Sequence, residues 1–165
     1  MLAVLPLILA ATEPLLSVFR SVNSHDTLVG DAIHTSPVRM TPAELADAAR
    51  PILDTLHRQI IAATHDAYAA FENEGRATTQ TARAARAATF GAVDTLLVDI
   101  DEVMPGRVDE TTGEITLADH ESADTYGIVD EIAGRVLSTG GRVLAVRRDE
   151  IPQKASLAAI LRYAI

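Results

Sequence analysis

Cysteine is absent from the 165 residues. That removes disulfides, thiolate metal sites and cysteine nucleophiles together, and it fits a reducing compartment. Tryptophan is absent as well, and aromatics make up only 4% of the chain. The core of a sequence that is 48% hydrophobic must then come from Leu, Ile, Val and Ala, which suits helices packed on a sheet. No apolar stretch approaches the ~20 residues that span a bilayer, so no membrane partner is expected. The opening MLAVLPLILAATEP has the apolar run of a secretion signal but no basic residues before it, and Glu13-Pro14 follows at once. It reads as a buried strand, and the chain as cytoplasmic. No serine has a G-x-S-x-G setting. No glycine-rich loop precedes a helix to cradle phosphate, since Gly140-Gly141 follows one.

The net charge is −9, and it is regional. Between Asp94 and Glu131 stand twelve Asp/Glu against one Arg, a balance of −11, while the rest of the chain balances at +2. The acidic region repels phosphate backbones, so nucleic acid, if bound, must be met elsewhere.

Along the chain, Val4–Ala10 reads as a buried strand, and Thr12 caps a helix from Glu13 to about Asn23. Residues 24–40 read as a loop or edge strand. Thr41-Pro42-Ala43-Glu44 is a capping box with proline at the first helical position. The helix it starts, 42–74, carries Leu45, Ala49, Ile52, Leu56, Ile60, Ala63, Ala67 and Phe71 at a mean spacing of about 3.7, so one apolar stripe is expected throughout. Pro51 should kink it near Asp47, and Gly75 ends it. At ~1.5 Å per residue it would span about 45 Å, longer than a small domain needs, which predicts a connector or a homodimer surface.

A second, Ala-rich helix is expected over 80–90, with Arg83 and Arg86 on one side. A strand 94–100 follows, then an acidic hairpin 105–120 closed at Thr112-Gly113, a helix of about 125–138 and a strand 142–147. Strand, helix, strand in that order predicts a parallel pair with a right-handed crossover. The tail ASLAAILRYAI is apolar enough for strand or helix.

Two clusters are candidate sites. Asp99, Asp101 and Glu102 stand at the carboxyl end of a strand, where ligands bind in parallel sheets, and acids two residues apart on extended chain can share a hard cation. The bland alternative is that polar residues simply end a buried strand. Arg147, Arg148 and Lys154 are a possible RNA or anion patch, though no aromatics are interleaved with them. The histidines show no chelating spacing: His57 and His65 lie eight apart on a helix, His25 and His34 sit in a polar loop, and His120 stands alone. No cofactor is expected.

Asp101-Glu-Val-Met-Pro-Gly is similar to the phosphoacceptor strand of response-regulator receiver domains, with Lys154 about where their lysine falls. The acidic pair such domains carry on an earlier strand is missing, because that region is helix around Leu56–His57. Val146-Arg147-Arg148 stands where their small hydroxyl residue would be. A Mg²⁺-dependent phosphoacceptor or metal-dependent enzyme using Asp99, Asp101 and Glu102 is the alternative function that follows.

FGAVDTLLVD, YGIVDEIAGRVLSTGGRVLAV and ASLAAILRY together resemble the C-terminal domain of archaeo-eukaryotic peptide-chain release factors and their relative pelota. PLILAATEPLLSVFRSVNSHDTLVGDAI and the TPAEL helix resemble the bacterial branch of that superfamily. The resemblance implies that residues 1–40 are the C-terminal fragment of a middle, RNase-H-like domain. It implies that 41–165, long helix included, are a three-layer α/β/α sandwich with a mainly parallel sheet, similar to kink-turn-RNA-binding ribosomal proteins. It also implies a C-terminal piece of a longer protein. The peptide-releasing Gly-Gly-Gln motif is not in these residues, so no catalytic residue carries over. The expected function is a non-catalytic docking module of a translation- or ribosome-associated protein, with a protein partner favoured over RNA on charge.

Overall fold

A computed structural model of the chain describes residues 5–118 and 126–165. It divides into two compact units, residues 1–60 and 61–165.

The first unit is strand–helix–strand. β1 (Leu7–Ala10) and β2 (Leu28–Ile33) pair in parallel, with Leu9 opposite Ala32, and α1 (Leu15–Val22) carries the crossover. The segment 24–40 thus contains a true strand. Two expectations change. β1 is half-exposed rather than buried, because in a two-stranded sheet each strand is an edge. α1 starts at Leu15 with no side-chain cap from Thr12, while the Glu13 carboxylate accepts from the Ser17 hydroxyl at 2.7 Å.

α2 (Pro42–Glu72) opens as the capping box predicts: the Thr41 amide donates to the Glu44 carboxylate at 2.7 Å, and the Glu44 amide donates to the Thr41 hydroxyl at 3.3 Å. The bonds from Thr41, backbone first, hold the Glu44 carboxyl below its usual range. The helix is continuous through Pro51, and the division between units falls inside it. Of the expected stripe, Leu45, Ala49, Ile52, Leu56, Ala67 and Phe71 are half-buried, the last two against the core, while Ile60 and Ala63 are exposed and the fully buried positions are Ile61, Thr64 and Tyr68. Thr64 belongs to the buried face yet carries no weight in a count of apolar residues.

In the second unit the elements are β3 (Ala77–Thr78), α3 (Thr81–Thr89), β4 (Val93–Asp99), β5 (Pro105–Val108), β6 (Ile115–Leu117), β7 (Tyr126–Gly127), α4 (Ile128–Ser138), β8 (Arg142–Val146) and β9 (Leu157–Leu161). The main sheet has the order β3-β9-β4-β8. β4 and β8 are parallel, as predicted, with Asp99 opposite Val146. β9 is antiparallel to both β4 and β3, so the sheet is mixed and the expectation of a mainly parallel one is corrected. The reason lies in residues 147–156, which hold only short 3₁₀ turns and two residues of left-handed φ, Gln153 and Lys154. A parallel return needs a crossover element, and none is there.

Both faces of this sheet are covered. Leu96, Val98, Leu157, Ala159 and Leu161 pack with the alanines of α3 and with Ile128, Val129, Ile132 and Val136 of α4. On the opposite face Leu97, Val146, Ala158 and Ile160 pack with Ile61 and Tyr68 of α2. The register agrees: Leu96 pairs with Ala159 and Leu97 with Ala158, each couple sharing one face. β5, β6 and β7 form a separate antiparallel ribbon in the order β6-β5-β7. Part of the acidic hairpin expected over 105–120 lies outside the described residues, as does His120. No helix among the described residues is long and apolar enough to cross a membrane.

Candidate functional site

Asp99 and Glu102 of the acidic trio and Arg148 of the basic one, read separately from the sequence, are brought together by the parallel register of β4 and β8. β4 ends at Asp99, β8 ends at its partner Val146, and Arg148 stands in the turn just beyond. The buried Asp99 carboxylate accepts from Arg148 Nε at 2.8 Å through one oxygen and from the Asp101 amide at 3.1 Å through the other. Glu102 takes Arg148 Nη2. One planar guanidinium thus serves two carboxylates with two of its donors, which a lysine ammonium is not shaped to do.

This arrangement leaves little for a hard cation, which wants several carboxylate oxygens converging on one point. Asp101 contributes its amide, not its side chain, to the cluster. Among the described residues no group of three or more His, Asp or Glu side chains is placed to hold a metal ion. Arg147 and Lys154 are exposed, and the Lys154 ammonium makes no hydrogen bond or ion pair to any described residue. Of the histidines, His65 is tied into the fold: its Nε2 lies 2.6 Å from the Glu150 carbonyl, which can only accept, so that nitrogen carries the proton.

The hairpin is more firmly built in than its composition suggests. β5 buries Val108 in the core, while Leu117 of β6 is exposed. Arg135 of α4 holds the hairpin. Its Nε donates to Glu131 (2.8 Å), Nη1 to the Thr89 hydroxyl (2.6 Å) and the Asp109 carbonyl (2.8 Å), and Nη2 to the Val108 carbonyl (2.8 Å). Sequence reasoning passed over Arg135. The available signal was Glu131 four residues earlier on the same helix, a spacing that puts both on one face.

At the hairpin tip Asp109 Oδ1 accepts from the amides of Thr111 (2.8 Å) and Thr112 (2.6 Å) and from the Thr112 hydroxyl (3.0 Å). These bonds, the Thr112 amide foremost, hold the Asp109 carboxyl below its usual range. Because the folded-state value is the lower one, the turn's support is present above the unfolded value of ~3.9 and is lost as pH falls through the folded value. Amide spectra followed from neutral pH into acid should show Thr111 and Thr112 shifting below about pH 4. In Asp109→Asn that transition should be missing.

Residues 2–59 match the model for bacterial archaeo-eukaryotic release factor family 11. No curated protein matches. Among solved structures, the C-terminal domain of a peptide chain release factor from Methanosarcina mazei aligns at 18% identity with a TM-score of 0.56, covering 78% of this chain and 99% of that one. Pelota of Archaeoglobus fulgidus aligns at 17% identity and a TM-score of 0.49, over 97% of this chain and 49% of that one. A ribosome-bound archaeal Pelota aligns at 18% identity and 0.49, over 82% of this chain and 36% of that one. The chain therefore spans half or less of those two Pelota chains. Residues 2–59 are thus similar to family 11, and the fold is similar to that of a release-factor C-terminal domain.

Proposed function

We propose that this chain is a non-catalytic docking module of a translation-associated protein, engaging the ribosome or a partner protein through its surface. The observation that carries the reading is the succession, in one chain, of a release-factor-family segment and a fold similar to a release-factor C-terminal domain. In this reading residues 1–40 end a middle domain, 41–165 are the third, and α2 is the connector. Leu53 and Ile60, exposed on α2, are where a second copy would pair.

The site chemistry supports the same reading. Asp99 and Glu102 at the end of β4 are paired with an arginine of the same unit, which takes carboxylate oxygens that a cation would need. The acidic balance over 94–131 favours a protein partner over an RNA backbone.

The test is sedimentation of the tagged full-length gene product through sucrose gradients of cell extract. The product is expected to travel with ribosomal particles at low salt. Migration only at the top of the gradient would refute the reading. Saturable Mg²⁺ binding by the purified chain, abolished in Asp101→Asn, would replace it with the metal-dependent alternative.

A further inference from the structure

α3 is built asymmetrically. Its inward face is Ala84, Ala85, Ala87 and Ala88, all buried. Its outward face carries Arg83 and Arg86, followed by Phe90 just past the end, a spacing of three and four that keeps them on one side. The segment after β9 returns beside them: the Tyr163 hydroxyl donates to the Phe90 carbonyl at 3.4 Å. Ala82, Arg83, Arg86, Phe90 and Ile165 line a groove of ≈ 370 Å³.

The composition of this place is unlike the rest of the chain. Phe90, Tyr163 and Ile165 are 56%, 50% and 51% exposed. Two of the six Phe and Tyr residues of an aromatic-poor protein therefore stand side by side in solvent. Arg83 is anchored by a bond to the Gly75 carbonyl. The Arg86 guanidinium makes no hydrogen bond or ion pair to any described residue, although the chain as a whole carries −9. Exposed aromatics beside an uncommitted guanidinium have the makeup of an interface anchor point. The extent of the anion selects the partner. A guanidinium fork takes carboxylate and phosphate alike, but a short acidic segment confined to the groove meets Arg83 and Arg86, whereas an extended phosphate backbone also meets the rest of a protein of net charge −9.

The geometry points to this groove as the docking site for an acidic linear segment of a partner protein. Such a segment sets a bulky apolar side chain against Phe90 and Ile165 and its carboxylates on Arg83 and Arg86. This rests on the docking reading above and adds to it the surface and the chemistry recognised.

Fluorescence anisotropy of a labelled peptide of Asp and Glu containing one Leu and one Phe, titrated with the 165-residue chain, tests it. Saturable binding is expected, weakened roughly tenfold by Arg86→Glu and similarly by Phe90→Ser. The isosteric Gln/Asn peptide should bind as poorly as those variants. Arg86→Glu is at an exposed position and is checked for an unchanged melting curve. In that variant a Lys-substituted peptide should bind better than the acidic one. Equal affinity for the Arg86→Glu variant, equal binding of the uncharged peptide, or preference for an oligouridine competitor would overturn the proposal. So would a dimer by sedimentation equilibrium that Arg86→Glu dissociates, since the groove would then face a second copy. If the peptide fails while the full-length product still travels with ribosomes, only the groove assignment falls. If the peptide binds and co-sedimentation fails, the ribosomal reading falls instead.

Discussion

Arg135→Ala is expected to destabilise the second unit by about 3 kcal/mol, since bonds to charged groups are worth ~1.5–3 kcal/mol each and neutral ones ~1. Four acceptors lose their donor at once: the Glu131 carboxylate, the Thr89 hydroxyl and the carbonyls of Val108 and Asp109. The Arg135 side chain is 14% exposed, so water replaces these bonds only in part. Arg135→Lys should recover less than half of the loss, because one ammonium cannot reach acceptors on a helix neighbour, on α3 and on β5 together. Denaturant midpoints measure the cost, and amide exchange should show the hairpin losing protection first. An alanine variant within ~0.5 kcal/mol of the parent, the range of ordinary surface changes, would mean that the hairpin is held by other contacts.

Gly106→Ala is expected to cost about as much, at the upper end of the ~1–3 kcal/mol that overpacking usually incurs. A Cβ at Gly106 would stand 2.4 Å from the Thr116 carbonyl oxygen and 2.6 Å from Ile128 Cδ1. The isoleucine can rotate, but the carbonyl belongs to β6, directly across the ribbon, and moving it unzips the hairpin. The comparison is Gly134→Ala in α4, where, apart from its chain neighbours and the helix's own backbone, no atom of the described residues lies within 4 Å of the added carbon. There the helix should gain roughly 0.5–1 kcal/mol. Thermal melts of the two variants should therefore move in opposite directions. A Gly106→Ala melt unchanged from the parent would show that β5 and β6 part readily.

What could be read before the structure follows from how local each signal is. β4, α4 and β8 are each framed by nearby residues: a continuous apolar run for β4, and Gly140-Gly141 as the stop between α4 and β8. The capping box at Thr41 involves residues three apart. The direction of β9 was not local. ASLAAILRY has no period that separates helix from strand, and its antiparallel course is dictated by the short link 147–156. The expected stripe of α2 holds at Leu45, Ala49, Ile52 and Leu56, which are half-buried, and at Ala67 and Phe71, which pack on the core; it departs at Ile60 and Ala63, because Ile61, Thr64 and Tyr68 take the buried positions there. The pairing of Asp99 with Arg148 joins residues far apart in sequence and needs the β4–β8 register to be seen. Once that register is known, the pairing follows, because both strands end together.

The placement of β9 has a consequence for biosynthesis. It is threaded between β3 and β4, yet it is encoded after every other strand. During vectorial synthesis β3 and β4 emerge early and must wait with a strand-wide slot between them. Until residues 157–161 leave the exit tunnel, the nascent polypeptide presents unpaired backbone flanked by Leu96 and Leu97, an invitation to strand addition from any neighbouring chain. Closure then requires contacts of long sequence separation, which slows it and lengthens that exposure.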